Sequence, residues 1–341
     1  MIVRLVKLVV LLITVHLQLS AQLRPSHPAH DAVRRVNGGI GGPYIGLLMA
    51  FPTEEMALVA SGLFVPDGDI PWIELAGRRF NVGKIKGVDV IYVMSGELTL
   101  NAGMTVQILV DTFDIRGVVH YGIAGSSNSS LNIGDVSIMK YVAFTGSWKW
   151  KEYESEASGK VTELKFGDYD LPTKGENLLA KIKFTPQQLY TNGKPMQEVF
   201  WLAIELKWYE MAASLKDLEL IQCLNETYCL PQKPKVVAGL RGATADIFVD
   251  NAAFRDFLFK KLYVSTVDEE SSAVVLTCLS NGVPSVVFRG VSDTAGGGGG
   301  ESRGLTGLSF YSLAAVNAFI VAVEFIALVG SVSDQNTASN I

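Results

Sequence analysis

The chain has 341 residues, of which 48% are hydrophobic, and this length allows one large domain or two small ones. Its 29 basic and 34 acidic residues give a net charge of −5 and form no basic stripe or block. This excludes a protein that binds nucleic acid through a positive surface. The four histidines and three cysteines form no cluster of the kind that holds zinc, so no metal site is predicted.

The chain begins with a segment typical of a secretory signal peptide. Arg4 and Lys7 precede an apolar run over residues 8–19, and the small residues 20–21 suit cleavage. The run is shorter than a membrane anchor requires. We therefore predict that residues 1–21 are removed and that the mature protein enters the secretory pathway, ending in a vacuole or outside the cell.

Two further signals agree with secretion. N-x-S/T sequons at Asn128 and Asn225 predict N-glycosylation. The second sequon lies between Cys223 and Cys229, which could close a small disulfide loop in an oxidising compartment. Cys278 lies in an apolar run and is predicted to be a buried free thiol.

Predicted strands and helices alternate after an irregular start. Residues 22–43 are rich in proline and glycine without an apolar period, which is typical of a linker. The domain opens at Tyr44 with the buried strand YIGLLMAF, and Thr53 is expected to cap the next helix. Two or three strands with glycine turns follow, then the helix NAGMTVQILVDTF and the strand GVVHYGIAG.

Residues 146–234 are polar and aromatic, and we interpret them as an insertion with one helix around QEVFWLAIELKWYEMAASL. After them, PKVVAGLRG resumes the sheet, two helices follow, and VPSVVFRGVSD is a late strand. The alternation predicts a layered α/β fold.

The last apolar segment, residues 310–330, is long enough to span a bilayer. Asn317 and Glu324 interrupt it, and a charge in the middle of a membrane is costly. A polar tail, residues 331–341, follows it, so it is not a lipid-anchor signal. We predict a buried terminal helix with Glu324 near a polar edge, and no membrane segment in the mature protein.

Two kinds of site are disfavoured by the motifs. His120 is the single histidine of the domain and no G-x-S-x-G elbow accompanies it, which argues against a histidine-centred hydrolase. The glycine run 296–300 fits neither a P-loop nor a dinucleotide-binding motif, so no cofactor is predicted.

What remains is a set of acids placed after predicted strands. Glu54 follows the first strand, Glu270 ends a run of three acids, and Asp293 follows the late strand. Ligands of open α/β sheets bind at the carboxyl ends of the strands. Carboxylates there can bind sugar hydroxyls, activate water or donate a proton, although each acid alone also suits a helix amino terminus.

Four segments resemble, in order, the purine nucleoside phosphorylase and methylthioadenosine nucleosidase superfamily: YIGLLMAFPTEE, GIAGSSNSSLNIGDV, VDEESSAV and VVFRGVSDTAG. The resemblance covers most of residues 44–330 outside the insertion. It implies a three-layer phosphorylase/hydrolase-like α/β fold in which helices flank a central mixed β-sheet. The leader, the insertion and the aromatic content are more similar to plant bark and vegetative storage members than to intracellular nucleosidases.

The resemblance implies roles for four residues of these motifs. Asp293 corresponds to the acid that protonates N7 of the purine. Glu54 corresponds to the acid that positions or deprotonates the attacking water. Glu270 corresponds to the glutamate that binds the ribose hydroxyls, and Arg289 to the arginine that supports this polar network.

Two further ligand contacts are implied, together with two departures from the family pattern. Phe248 lies near the position of the aromatic residue that stacks on the base, and Gly125 closes the GIAG loop. Ile123 replaces the small residue of that loop, and Glu269 replaces a methionine beneath the ribose. The phosphate-binding arginine that phosphorylases place after the first strand is missing, which favours hydrolysis over phosphorolysis.

The resemblance thus predicts cleavage of the N-ribosidic bond of purine nucleosides. Two alternatives stay open: a protein that binds adenine derivatives such as cytokinins without turnover, and a storage glycoprotein without selected chemistry. The retained Glu54, Glu270 and Asp293 favour a working pocket, whereas Ile123 and Glu269 favour the alternatives. The expected partner is a purine nucleoside or adenine derivative, and a homodimer is one expected assembly because dimers are usual among nucleosidases.

Overall fold

A computed structural model describes residues 23–38, 42–149, 183–226, 228–297 and 310–338. The predicted signal peptide and Gly298–Gly300 lie outside these ranges. The strands are β1 Tyr44–Met49, β2 Phe64–Pro66, β3 Trp72–Leu75, β4 Arg78–Ile85, β5 Val88–Met94, β6 Ile115–Ser126, β7 Val136–Phe144, β8 Trp148–Lys149, β9 Lys183–Phe184, β10 Gln187–Leu189, β11 Gln197–Val199, β12 Leu202–Ala203, β13 Val236–Thr244, β14 Thr266–Asp268 and β15 Ser285–Thr294. The helices are α1 His30–Gly38, α2 Pro52–Ser61, α3 Thr99–Thr112, α4 Leu206–Ala213, α5 Ala252–Leu262, α6 Ser271–Asn281 and α7 Phe310–Ala338.

A mixed sheet of eleven strands forms the centre of the described structure. The strand order is β12-β7-β13-β14-β6-β1-β5-β4-β2, while β15 pairs with β6 and β7, and β3 pairs with β4. At the centre, β1 runs parallel to β5 and β6, and β15 runs parallel to β6. The short strand β14 runs antiparallel to β6. Every residue of β1 is buried, as expected for a central strand that is covered on both faces.

Helices cover both faces of this sheet. On one face α7 packs against β15 and β6, and Phe319 and Phe325 join a core cluster with Tyr121 of β6. On the other face α3 packs against α6, and Leu109 and Val274 belong to a second core cluster. The three layers confirm the predicted α/β fold with a central mixed sheet flanked by helices.

Helix α7 is the apolar segment whose location was in question. It is long and apolar enough to cross a membrane, but 67% of its most apolar stretch of 18 residues is buried inside the protein. Asn317 is satisfied there by Nδ2 bonds to Gly134 O (3.0 Å) and Ile221 O (2.9 Å). Glu324, in the middle of the helix, is partly exposed and forms an ion pair with Lys86. Both polar interruptions therefore have partners in the fold, as a buried terminal helix requires.

The predicted insertion contributes to the main core. Strand β12 pairs with β7, and α4 places Trp208 against Phe325 of α7 with ring centroids 5.2 Å apart. Cys223 and Cys229 form the predicted disulfide, and residues 150–182 of the insertion lie outside the described residues. The sequon Asn225 is exposed in the disulfide loop, and glycosylation there stays a prediction.

Three boundary predictions were wrong. The segment predicted to be a linker contains α1, which buries Val33 and Val36. The apolar face is only two residues long and is flanked by proline and glycine, so the sequence pattern did not indicate it. Helix α2 starts at Pro52 instead of being capped by Thr53, because proline suits the first helical position. Helix α7 continues past Gly330 to residue 338, so the polar tail is partly helical.

Candidate active site

A cavity of about 660 Å³ opens at the edge of the sheet where β1, β6 and β15 end. These strands are parallel, so their carboxyl ends share that edge. The edge brings together the residues predicted for the site. The cavity is lined by Glu54, Gly125, Phe248, Glu270 and Asp293, while Arg289 is fully buried and pairs with two of them.

A second cavity, of about 740 Å³, is lined by Asn128, Arg255, Asp256, Phe259 and Phe310, among others. Of the predicted residues only Asn128 borders it. The smaller cavity is the better candidate because its walls carry the converging carboxylates. Asn128 is half-buried and its Nδ2 donates to Ser265 Oγ (3.3 Å), a bond that a glycan on this nitrogen would have to replace.

Arg289 is the centre of a buried charge network. Its Nε donates to Asp268 Oδ2 (3.1 Å) and its Nη2 to Glu270 Oε2 (3.0 Å). Its Nη1 lies 3.9 Å from Glu54 Oε1. A guanidinium removed from water needs such partners, because an unpaired buried charge is very costly. The network joins α2, β14 and β15 at the edge of the cavity.

Asp268 was not among the predicted site residues, although it is one of the closest partners of Arg289. It also accepts hydrogen bonds from Thr244 Oγ1 (2.7 Å) and Ser271 Oγ (2.7 Å). Burial alone would raise the pKa of Asp268, but Arg289 and these hydroxyl donors outweigh it and hold the pKa below its usual value. Asp268 is therefore the permanent anion beside Arg289.

Glu270 faces Arg289 as a second carboxyl. Its Oε2 accepts from Arg289, and its Oε1 accepts from Leu98 N (3.2 Å). Burial raises the pKa of Glu270 to about 8, with Asp268 and Glu54 adding to the shift and Arg289 opposing it. Glu270 thus holds a proton at neutral pH more readily than an exposed glutamate, and it can exchange that proton with a ligand.

Glu54 both caps a helix and lines the cavity as a candidate proton acceptor. Its Oε2 accepts from Ala50 N (2.8 Å) and Phe51 N (2.9 Å), which caps the start of α2. Its Oε1 accepts from Ile123 N (2.8 Å). Burial raises the pKa of Glu54 even though Arg289 and these N–H donors lower it. A buried carboxylate with a raised pKa is suited to accept a proton.

His120 belongs to the same network, although the sequence indicated only a buried strand residue. Its Nε2 lies 2.6 Å from Arg289 Nη2, and its Nδ1 lies 3.2 Å from Leu48 O. Because a guanidinium only donates, Nε2 must accept and Nδ1 must carry the proton. Burial and Arg289 lower the pKa of His120 to about 3, so it is neutral at physiological pH.

Gly122 makes room for this network. A Cβ at this position would lie 2.3 Å from Arg289 Nη1 and 2.3 Å from Glu54 Oε1. Both atoms belong to buried, bonded side chains that cannot move aside freely. Glycine at residue 122 is therefore required by the close approach of the charged groups to β6.

Asp293 lines the same cavity but is only half-buried. Its Oδ2 accepts from the Tyr311 hydroxyl (3.1 Å), and Ser292 Oγ lies 3.3 Å from its Oδ1. A Cβ at Gly125 would come within 3.1 Å of Oδ1, so glycine lets the carboxyl lie close to β6. Phe248 also lines the cavity and is 54% exposed.

The two departures from the family pattern both line the cavity. Ile123 contributes its N–H to Glu54, a contact that does not depend on the type of side chain. Glu269 is half-buried, and burial raises its pKa, with Glu97, Asp268 and Asp246 adding to the shift. The walls therefore contain six carboxyl groups, and none of the described wall residues is a lysine, arginine or histidine. These acids are Glu54, Glu97, Asp268, Glu269, Glu270 and Asp293.

Comparisons with known proteins agree with this architecture. A family model described as the phosphorylase superfamily matches residues 44–327. Bark storage protein A of Populus deltoides is 41% identical over 296 residues, which cover 86% of this chain and 91% of that protein. A 5′-methylthioadenosine/S-adenosylhomocysteine nucleosidase of Bacillus thuringiensis is 27% identical over 226 residues, which cover 65% of this chain and 75% of that protein.

Solved structures show the same fold. A 5′-methylthioadenosine/S-adenosylhomocysteine nucleosidase from Colwellia psychrerythraea, in complex with adenine, matches with a TM-score of 0.58 at 21% identity, covering 84% of this chain and 95% of that one. The nucleosidase of the same name from Helicobacter pylori, with butyl-thio-DADMe-Immucillin-A, matches with a TM-score of 0.57 at 18% identity, covering 86% and 100%. This chain, with its mixed sheet, its buried arginine and its acidic cavity, belongs to the phosphorylase superfamily.

Proposed function

We propose that this protein hydrolyses the N-ribosidic bond of purine nucleosides, releasing the free base. The proposal rests on one observation: Glu54, Glu270 and Asp293 line a single cavity, and the buried Arg289 pairs with the first two. An acid near the base and carboxylates near the sugar would match the charges that develop on each as the bond breaks. The Colwellia nucleosidase, which has this fold and was solved in complex with adenine, supports a purine as the ligand.

At the base end, Asp293 acts as the general acid. In its protonated form it gives its proton to N7 of the purine while the bond between N9 and C1′ breaks. The electron pair of that bond stays on the base, which leaves as a neutral molecule. The hydroxyls of Tyr311 and Ser292 hold the carboxyl in place during this transfer. A positioned acid typically contributes about 10²–10⁴-fold to the rate.

At the sugar end, the carboxyl groups meet the positive charge that builds on the ribose. Glu54, whose pKa is raised by burial, takes a proton from water as the water oxygen bonds to C1′. Glu270 can bind ribose hydroxyls while Arg289 fixes its orientation. At the end of the reaction Glu54 holds a proton and Asp293 has lost one, and exchange with solvent restores both.

The charge of the cavity favours water over phosphate as the nucleophile. Phosphate carries one to two negative charges at neutral pH, and a phosphorolytic enzyme must offset them with cations or N–H donors. Here the one arginine of the network, Arg289, is already bonded to Asp268 and Glu270. Six carboxyl groups line the cavity, and its described wall supplies no other cation. A phosphate ion would therefore meet like charges.

A second candidate function is retained ligand binding without turnover, in a storage or adenine-binding role. The 41% identity to bark storage protein A, over most of both chains, favours it. Glu269 favours it as well, because an additional acid beside Glu270 alters the sugar end of the cavity. Under this proposal Asp293 and Phe248 still bind an adenine-type base.

Incubation of the purified mature protein with methylthioadenosine, adenosine and inosine, with and without phosphate, separates these functions. Release of free base at the same rate in both buffers supports hydrolysis. Release that requires phosphate contradicts the proposed nucleophile. Absence of release, with saturable binding of adenine measured by calorimetry, supports the second function. Absence of both contradicts a working pocket.

A further inference from the structure

Tyr311 contacts the proposed acid directly, although it lies 18 residues away in the chain and in a different element. It occupies the first turn of α7 and lines the cavity with Asp293. Its hydroxyl donates to Asp293 Oδ2 at 3.1 Å. The contact therefore joins the terminal helix to the carboxyl end of β15 at the reacting part of the cavity.

The other oxygen of Asp293, Oδ1, competes with a main-chain carbonyl for the hydrogen of Ser292. Ser292 Oγ lies 3.3 Å from Asp293 Oδ1 but also 3.2 Å from Ala124 O. A serine hydroxyl has one hydrogen, and a carbonyl oxygen only accepts, so Ala124 competes with the carboxylate for it. When Asp293 is protonated on Oδ1, Ser292 can accept from the acid and donate to Ala124. The serine therefore suits the protonated form, and the ionised form depends more on Tyr311.

We propose that Tyr311 is a positioning residue for Asp293: its hydroxyl fixes the plane of the carboxyl group and stabilises its ionised form. This inference rests on the proposed function for its catalytic consequence, but the contact itself can be tested without a substrate. A hydrogen bond to the charged form of an acid favours ionisation, so the hydroxyl lowers the pH at which Asp293 loses its proton. Tyr311 thus sets the alkaline limit of a reaction in which Asp293 must be protonated.

The other charged groups around this acid stay in place when the tyrosine hydroxyl is removed. Among the described residues they are the five other wall acids, with Arg289 behind them and Arg255 of α5, which is bonded to Ala295 O. The wall acids are Glu54, Glu97, Asp268, Glu269 and Glu270. Tyr311→Phe keeps the ring and the packing, so a change in the titration of Asp293 reports the lost hydroxyl.

The experiment is a carbon-13 titration of the Asp293 carboxyl in aspartate-labelled protein, with the signal assigned by its loss in Asp293→Asn. In Tyr311→Phe the titration midpoint should rise by about one pH unit. The matched control is Tyr190→Phe, an exposed tyrosine bonded to Gln188, which should leave the midpoint unchanged. An unchanged midpoint in Tyr311→Phe overturns the inference.

The kinetic readout separates positioning from simple structural support. The alkaline limb of the pH–rate profile should move upward by the same interval, and kcat at the optimum should fall about tenfold with KM nearly unchanged. A fall in kcat without a shift of the limb contradicts the role. If the wild-type protein releases no base but the carbon-13 midpoint still shifts, the proposed hydrolysis fails and the Tyr311 contact stands.

Discussion

The cavity holds two groups of acids in different ways. Arg289 and its carboxyl partners Glu54, Asp268 and Glu270 are buried and bonded to one another or to main-chain N–H groups. Asp293 is only half-buried, and the neutral hydroxyls of Ser292 and Tyr311 lie within hydrogen-bond distance of its carboxyl. The fold therefore fixes the positions of the first group of acids, whereas Asp293 is less constrained by burial.

This difference explains how one fold can keep a pocket whether or not it keeps a reaction. The Arg289 network stabilises the sheet edge, since unpaired members would be buried charges. Its members are therefore needed for folding whether or not the protein has an activity. Asp293 contributes little to packing, so its presence at the cavity wall is better explained by ligand chemistry than by stability.

The largest expected effect is on the base end. Asp293→Asn should lower kcat by about 10²–10⁴-fold, because the amide cannot give a proton to N7, while the binding of adenine changes only modestly. Base release and melting temperature on the same protein measure both. Asp69→Asn, at an exposed aspartate outside the cavity, is the control and should change neither. Full activity in Asp293→Asn, or a loss of about 1 kcal/mol in stability with normal turnover, would mean that the residue only caps its loop.

The next largest effect is on stability and concerns the space that the Arg289 network needs at Gly122. Gly122→Ala should destabilise the protein by about 1–3 kcal/mol or more, because its Cβ would overlap buried atoms of Arg289 and Glu54. Urea denaturation measures this loss. Gly103→Ala in α3 is the matched control: its Cβ would meet only Thr277 and Ala273 at 3.7 Å and 3.9 Å, so it should stabilise the helix by up to about 1 kcal/mol. Equal stability of the two variants would contradict the close approach at residue 122.

The pH dependence of stability sharpens the comparison. Glu270 has a folded-state pKa of about 8, above its unfolded value of 4.5, so its stabilising contribution is present at low pH and is lost as pH rises through 8. His120 acts in the opposite sense, since its folded pKa of about 3 lies below 6.5 and its contribution is lost only as pH falls. Between pH 6.5 and 8 the free energy of unfolding should therefore fall with pH.

Glu270→Gln should flatten that fall, because the amide imitates the protonated acid and does not titrate. Chemical denaturation at several pH values tests this, with Glu198→Gln, at an exposed glutamate of β11, as the control. Glu54 and Glu269 also have raised pKa values and account for any slope that remains. A slope identical to that of the wild type would show that Glu270 is ionised throughout this range.

The smallest effect concerns charged ligands. Because six acids line the cavity, adenosine 5′-monophosphate should bind about tenfold more weakly than adenosine. Added salt should narrow the difference by screening the repulsion. Calorimetry at two ionic strengths measures both. Equal affinities would contradict a negatively charged cavity wall.

The principal acids could be identified from the sequence because each directly follows, or ends, an apolar strand. Glu54 follows the parallel strand β1 and Asp293 lies near the end of the parallel strand β15, so the rule about carboxyl ends applies to them. Asp268 could not be assigned in this way. Its strand β14 has three residues and runs antiparallel to β6, and an apolar pattern does not encode strand direction. Tyr311 had no signal at all, because its role depends on where α7 begins relative to β15.

By itself the sequence determined the alternation of strands and helices, the buried nature of α7 and the order of the acidic motifs, because hydrophobic periodicity and motif spacing are local properties of the chain. Tertiary structure alone decided which carboxyl groups have raised pKa values, which of them pair with Arg289 and which tautomer His120 adopts. These properties depend on desolvation and on neighbours that are distant in sequence: Asp268 and Arg289 are 21 residues apart, and His120 and Arg289 are 169 apart. Charge in a buried site is set by such neighbours, and only folding brings them together.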